Sequence, residues 1–220
     1  MYRVLQILND AEVAECRRVA ASTPFVDGRI TNPHNTAKNN EQLHDDAAYK
    51  ATSQLLHNAL VRSPEFMEFA FPVAMAPPLI TRYKPGMKYG AHADAAFIQL
   101  PGATIRSDLS ATIFLNEPGD YEGGELLVQH SDAELKFKLK PGEAIIYPST
   151  SSHQVIPVTK GERLVAITFI QSRIKDPVKR TTLFELNEVA ALEGNNMDPA
   201  NYARLQLVQQ NLLREWSDMP

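Results

Sequence analysis

Three side chains in this sequence could converge on one metal ion. His92 and Asp94 stand two residues apart at the end of the stretch Ile80–Asp94. On an extended strand, residues i and i+2 project to the same face, so an imidazole and a carboxylate enter one space. His153 opens a second β-like segment, His153-Gln154-Val155-Ile156-Pro157-Val158, and is the candidate third ligand. Two histidines and one carboxylate leave open coordination positions and suit Fe(II) and oxygen chemistry. The pair His92 and Asp94 alone reads equally well as a buried histidine bonded to a nearby aspartate; His153 favours the metal.

Arg163 follows at the start of the next apolar run. A turn at Thr159-Lys160-Gly161 predicts that it returns beside His153 across an antiparallel pair. Alone, an arginine here reads as a surface or ion-pair residue. Next to a metal, its guanidinium can hold a carboxylate through two parallel bonds and so dock a dicarboxylic co-substrate.

Other polar candidates carry less. His130 reads as a turn residue beside Ser131 and Asp132, and His44, Asp45 and Asp46 as a solvated helix flank. Gly123-Gly124 lacks the Lys-Ser/Thr sequel of a phosphate loop and reads as a hairpin turn. Cys16 shows no reactive setting. Asn39 and Asn40 read as loop caps that could line a substrate mouth.

The elements around these residues follow from pattern. Asn9 and Asp10 cap a helix to about Ala21, with Val13, Cys16 and Ala20 on one side. Residues 25–40, with Gly28 and Pro33, read as a long loop. Glu41 to Arg62 reads as one helix, with Leu43, Ala47, Ala51, Leu55 and Ala59 recurring every fourth residue, ended by Ser63-Pro64. From Val73 to Gln171 the sequence reads as about eight short strands separated by Pro-Gly, Gly-Gly and Lys-Gly turns, which favours a closed or two-sheet β architecture. After Asp176-Pro177 helix returns. Asp198 caps, Pro199 takes the first helical position, and Tyr202, Leu205, Val208, Leu212 and Trp216 form a stripe.

The 220 residues suffice for one domain with a sizeable core. The net charge of −4 offers no basic field for nucleic acid or an anionic membrane. No run of 18 apolar residues is present, so no membrane span is expected. A single cysteine excludes an internal disulfide and suits a reducing, cytoplasmic setting.

Several segments together resemble a known family. They are Arg82-Tyr83-Lys84-Pro85-Gly86 leading to Tyr89-Gly90-Ala91-His92-Ala93-Asp94, Arg106 to Asn116, Tyr121-Glu122-Gly123-Gly124-Glu125-Leu126, and Tyr147 to Arg163. Val26 to Arg29 and Lys38-Asn39-Asn40 add to them. The chain resembles the iron- and 2-oxoglutarate-dependent dioxygenases of the prolyl 4-hydroxylase type, and among them the bacterial PKHD-type hydroxylases. The resemblance implies a mainly β fold with flanking helices (α+β). Its core would be a double-stranded β-helix (jelly-roll or cupin-like) with N-terminal helices packed on it. It implies a dioxygenase domain over 1–175, with a β core about 73–175 and helices within 9–62, and a C-terminal helical extension over 176–220.

The resemblance further implies that His92, Asp94 and His153 hold Fe(II), that Arg163 pairs with the distal carboxylate of 2-oxoglutarate, and that Tyr83 lines the pocket. O2 and 2-oxoglutarate would be co-substrates, with L-ascorbate as an accessory. The substrate would be a small molecule or a peptidyl group, hydroxylated as 2-oxoglutarate is converted to succinate and CO2. A link to iron homeostasis and a homo-oligomeric state are compatible with the family. Some relatives carry a tyrosine where Phe114 stands, whose hydroxyl helps bind 2-oxoglutarate; its absence here leaves Arg163 with more of the binding or brings in a neighbour such as Thr112 or Ser110. Two alternatives stay open from the residues: a zinc-dependent hydrolase, and a non-catalytic ligand-binding β-barrel.

Overall fold

The computed structural model describes residues 2–32 and 35–218. Pro33, part of the loop expected over 25–40, lies outside the described residues. Two sheets packed face to face around one interior make the core.

The larger sheet contains β1 (Arg3–Gln6), β2 (Phe25–Asp27), β4 (Glu41–Leu43), β5 (Pro72–Met75), β6 (Leu79–Tyr83), β10 (Leu109–Phe114), β14 (Glu143–Pro148) and β17 (Arg163–Ser172). Its order is β1-β14-β10-β17-β6-β4-β2, with β5 added to β17. The smaller sheet contains β3 (Lys38–Asn39), β7 (Lys88–His92), β12 (Leu126–His130), β13 (Ala133–Phe137) and β15 (His153–Val155), in the order β13-β12-β15-β7-β3. Two ribbons complete the β structure: β8 (Phe97–Leu100) with β9 (Ala103–Arg106), and β11 (Tyr121–Gly123) with β16 (Val158–Gly161).

The central strands of the larger sheet, β10, β14 and β17, are buried on both faces, and their alternation divides the core in two. On one face Ala111, Ile113, Ala144, Ile146, Leu164 and Ala166 meet the helices α1 (Asp10–Ser22), α2 (Asp46–Arg62) and α3 (Pro64–Ala70). On the other, Tyr83, Phe114, Ile145, Tyr147 and Val165 meet Leu126, Val128 and Val155 of the smaller sheet. A single strand such as β10 therefore sends aliphatic side chains to the helices and Ser110, Thr112 and Phe114 into the inter-sheet space.

Local chemistry sets the helix boundaries. Asn9 and Glu12 form a reciprocal capping box at the start of α1. Ser63 ends α2, and its side chain caps α3, whose first residue is Pro64. The helix expected from Glu41 instead begins at Asp46 under an Asp45 cap, because residues 41–43 pair with β6 and β2. Leu43 is still fully buried, now from a strand, while Ala47 and Ala51 face solvent. The residues of α2 that reach the core are Thr52, Ser53, Leu56, Ala59 and Leu60. Residues 25–40 likewise contain β2, a 3-10 turn at Gly28–Thr31 and β3 rather than loop alone.

The segment expected as one strand from His153 to Val158 is two, β15 and β16, belonging to different sheets. The break falls at Ile156-Pro157, where proline supplies no N–H to a ladder. Gly123-Gly124 is not a hairpin turn: β11 pairs with β16 whereas β12 pairs with β13 and β15, so the glycines carry the chain between sheets. At the C-terminus, α4 (Pro177–Glu193) buries Leu183 and Phe184, and the Phe184 ring stands edge-on to Phe69 at 5.4 Å. The following α5 (Pro199–Trp216) has no fully buried residue. Tyr202, Leu205, Leu212 and Trp216 are half-buried, and Val208 of the expected stripe is exposed.

Candidate metal centre

His92 is the last residue of β7, and His153 the first of β15. The two are directly opposed partners in the antiparallel ladder, so their rings start from facing backbone positions. The ring centroids lie 4.2 Å apart. Asp94 sits two residues past the end of β7 rather than within it, and the carboxylate still turns back to the histidines. One ligand atom from each of His92, Asp94 and His153 can be chosen so that all lie within 4.8 Å of one another, and no other such cluster occurs among the described residues.

Hydrogen bonds fix which atom of each ligand is free. His92 Nδ1 lies 2.8 Å from the Gly90 carbonyl, and His153 Nδ1 lies 3.0 Å from the Ser151 carbonyl. A carbonyl only accepts, so both Nδ1 atoms carry the hydrogen and both Nε2 atoms keep a lone pair. Asp94 is divided in the same way. Its Oδ2 accepts from Ser110 Oγ at 2.6 Å, while Oδ1 lies 3.7 Å from His153 Nε2.

Behind Ser110 runs a buried chain of hydroxyls. Ser110 and Ser149 Oγ are 2.7 Å apart, and Ser107 donates to Ser149 at 2.8 Å. Since Ser110 spends its hydrogen on Asp94, Ser149 must donate to Ser110, and all three hydroxyls point toward the carboxylate.

Tyrosines wedge the imidazoles. Tyr89 stacks on His92 at 3.6 Å between centroids, and Tyr147 meets His153 edge-on at 5.2 Å. Three-residue spacing does not ordinarily share a strand face; here the ladder register shifts between His153 and Val155, opposite Tyr89 and His92. Burial, then the neighbouring His153, pushes the His92 pKa down, which favours the neutral, ligand-competent ring. Burial, then Asp94, holds the Tyr147 phenol well above its ordinary range, so it stays neutral.

Arg163 does not lie beside His153 across one antiparallel pair. It opens β17 in the larger sheet, opposite Tyr83, whereas His153 belongs to the smaller sheet. The two project into the inter-sheet space from its two walls. Arg163 is 1% exposed, and its guanidinium carbon sits 5.0 Å from the Tyr83 ring and 5.5 Å from the Phe114 ring. It has no carboxylate partner among the described residues, and its Nε has no hydrogen bond. A buried unpaired cation costs several kcal/mol, so this end of the pocket fits an anionic ligand. Tyr83 accepts from Asn40 Nδ2 at 2.9 Å, which gives Asn40 a place on the interior wall rather than a loop cap.

The remaining candidates fall elsewhere. His44 is exposed and Asp45 caps α2; His130 rings Tyr2 at the end of β12; burial drives the Cys16 thiol up to about 12. Sequence reasoning missed Tyr89, Tyr147, Ser107 and Ser149. Their contacts depend on a register shift and on the approach of separate strands, which no local pattern encodes.

The two imidazoles, one carboxylate and a buried unpaired guanidinium fit a divalent metal with an acidic co-substrate. Comparison with known proteins agrees. Residues 78–171, which include His92, Asp94, His153 and Arg163, match the model of the 2OG-Fe(II) oxygenase superfamily. A PKHD-type hydroxylase of Sphingopyxis alaskensis is 57% identical over 98% of this chain and 99% of its own. A prolyl-4-hydroxylase of Pseudomonas putida superposes with a TM-score of 0.52 at 23% identity, over 78% of this chain and 92% of its own. A Trichoplax adhaerens prolyl hydroxylase, solved with a hypoxia inducible factor peptide fragment, gives 0.57 at 14% identity, over 78% of this chain and 83% of its own. These structures share its double-stranded β-helix.

Proposed function

Because the chain belongs to the PKHD-type hydroxylases of the 2OG-Fe(II) oxygenase superfamily, we propose that its chemistry is carried by His92, Asp94, His153 and Arg163. The protein is an Fe(II)- and 2-oxoglutarate-dependent dioxygenase that consumes O2. The zinc-hydrolase and non-catalytic barrel alternatives give way to that membership. Iron bound to the triad would supply the oxygen activation that couples conversion of 2-oxoglutarate to succinate and CO2 with substrate hydroxylation.

The residues around it have separable tasks. His92 and His153 present Nε2 because their Nδ1 atoms are tied to carbonyls. Asp94 presents one oxygen because Ser110 occupies the other. Arg163 holds the distal carboxylate and so sets the angle at which the 2-oxo acid end approaches the triad. Tyr83, Tyr147 and Phe114 keep bulk water from the pocket. The observation that carries this reading is the convergence of three donors, each with its other polar atom already bonded, in the same interior as an unpaired guanidinium.

We read residues 1–175 as the oxygenase unit and 176–220 as a helical extension, supported by the burial of Phe184 against Phe69. The substrate on this reading is a small molecule or a peptidyl group, the latter supported by the peptide bound to the Trichoplax relative. Among the described residues no helix is long and apolar enough to cross a membrane.

The test is direct. Protein reconstituted anaerobically with Fe(II) and then given O2 should convert 2-oxoglutarate to succinate slowly even without substrate. Succinate formation equal in wild type and His153→Ala would overturn the assignment of the triad.

A further inference from the structure

Phe114 lacks the hydroxyl that some relatives offer to 2-oxoglutarate, and the structure narrows what replaces it. Ser110 is committed to Asp94 and Ser149. Thr112 is engaged with the Tyr147 hydroxyl. A different hydroxyl stands open. Tyr121 is 3% exposed, and its hydroxyl is buried without a hydrogen-bond partner, as is Arg163 Nε.

These two orphans belong to side chains that touch the same glycine. Gly124 adopts a φ of +68°, and a Cβ placed there would lie 3.1 Å from Arg163 Cδ and 3.1 Å from Tyr121 Cε2. The backbone enforces the juxtaposition, since Tyr121 opposes Gly161 in the β11–β16 ribbon and Arg163 follows two residues later. Tyr121 is also held in place. Lys138 Nζ sits 4.2 Å over its ring and donates to its carbonyl at 2.7 Å. Burial raises the Tyr121 phenol, and Arg163 opposes that rise by its charge and by hydrogen-bonding reach to the phenol oxygen; an arginine only donates, so the hydroxyl's own hydrogen is left to give to an acceptor.

A buried hydroxyl without a partner costs about 1–3 kcal/mol, and a held ring cannot turn away to find one. An oxygen acceptor between Tyr121 and Arg163 would satisfy both. We propose that Tyr121 is a second anchor for 2-oxoglutarate, donating its hydroxyl to the distal carboxylate alongside Arg163. This deepens the proposed function and rests on Arg163 as the primary anchor of the diacid. Tyr121 thereby supplies the donor that Phe114 lacks, from a different strand.

The test uses Tyr121→Phe, which removes one oxygen. Kd is measured by calorimetry on Mn(II)-loaded protein for 2-oxoglutarate and for 2-oxopentanoate, which keeps the 2-oxo acid but lacks the distal carboxylate. Tyr121→Phe should weaken 2-oxoglutarate about tenfold and leave 2-oxopentanoate and Mn(II) affinity unchanged. A loss below about threefold, or an equal loss for both ligands, overturns the proposal. Arg163→Ala separates the two levels: if it weakens 2-oxoglutarate while Tyr121→Phe does not, only the second anchor fails. If neither variant weakens it, the reading of Arg163 fails too. Since the lost hydroxyl is unsatisfied without ligand, ligand-free Tyr121→Phe should melt no lower than wild type, and 2-oxoglutarate should raise its Tm less. Adding Phe114→Tyr to Tyr121→Phe should restore affinity if the hydroxyl is what matters.

Discussion

The two ends of the inter-sheet pocket are built on opposite rules. At the proposed triad, both Nδ1 atoms and Asp94 Oδ2 already have partners, which leaves the two Nε2 atoms and Asp94 Oδ1 to face one another. At the other end, Arg163 Nε and the Tyr121 hydroxyl are buried and neither makes a well-formed hydrogen bond among the described residues. The first arrangement fixes direction before a ligand arrives, which suits a cation that demands set angles. The second leaves hydrogen-bonding capacity vacant, which would suit the proposed diacid, entering as 2-oxoglutarate and leaving as succinate. Local backbone geometry explains the difference. Each histidine finds the carbonyl two residues before it in its own segment, whereas Arg163 emerges from the far wall among aromatic rings.

Substitutions at four positions probe this contrast. His153→Ala should have the largest effect, lowering Fe(II) affinity beyond the roughly 100-fold seen for outer-shell changes. Anaerobic metal titration measures it, and retention of wild-type affinity would remove His153 from the triad. Arg163→Ala should follow, weakening 2-oxoglutarate by about 2–5 kcal/mol while metal still binds. Metal loss in that variant would mean that the two ends are not separable. Ser110→Ala should lower metal affinity by about 10- to 100-fold, with Ser110→Thr restoring most of it. The Co(II) absorption spectrum should change in the alanine variant and revert in the threonine one.

The smallest effect concerns an exception at the triad end. Lys38 is 6% exposed behind Tyr89, has one hydrogen bond, to Thr31, and burial lowers its pKa to about 8. Its folded-state value lies below the unfolded one, so between about pH 8 and about pH 10.4 the unfolded chain binds more protons and this group's stability contribution rises with pH. Lys38→Met should therefore stabilise the protein near pH 7, and the advantage should shrink across that window. Chemical denaturation at several pH values reads the difference, and a constant advantage would rule the titration out.

Much of this was legible in the residues. His92, Asp94 and His153 were visible because their types are rare in combination, and Arg163 because of its place in the motif. The route to Arg163 was misread: Pro157 splits the expected strand, and β16 joins β11 instead of leading back along β15. Leu43 shows why helical periodicity misled, since a buried leucine fits an every-fourth-residue stripe and a strand equally well. The hydroxyl chain from Ser107 through Ser149 to Asp94 was not legible at all. It links three segments that only the finished fold brings together.

The facing register of His92 and His153 gives the metal a mechanical role. A cation held by both would cross-link two adjacent strands and close a loop of about sixty residues, which removes chain entropy from the unfolded ensemble much as a disulfide does. Stripping the ion should then loosen the centre of the smaller sheet first, so that amide hydrogens of residues 88–92 and 153–155 exchange faster while those of residues 109–114 in the larger sheet stay protected.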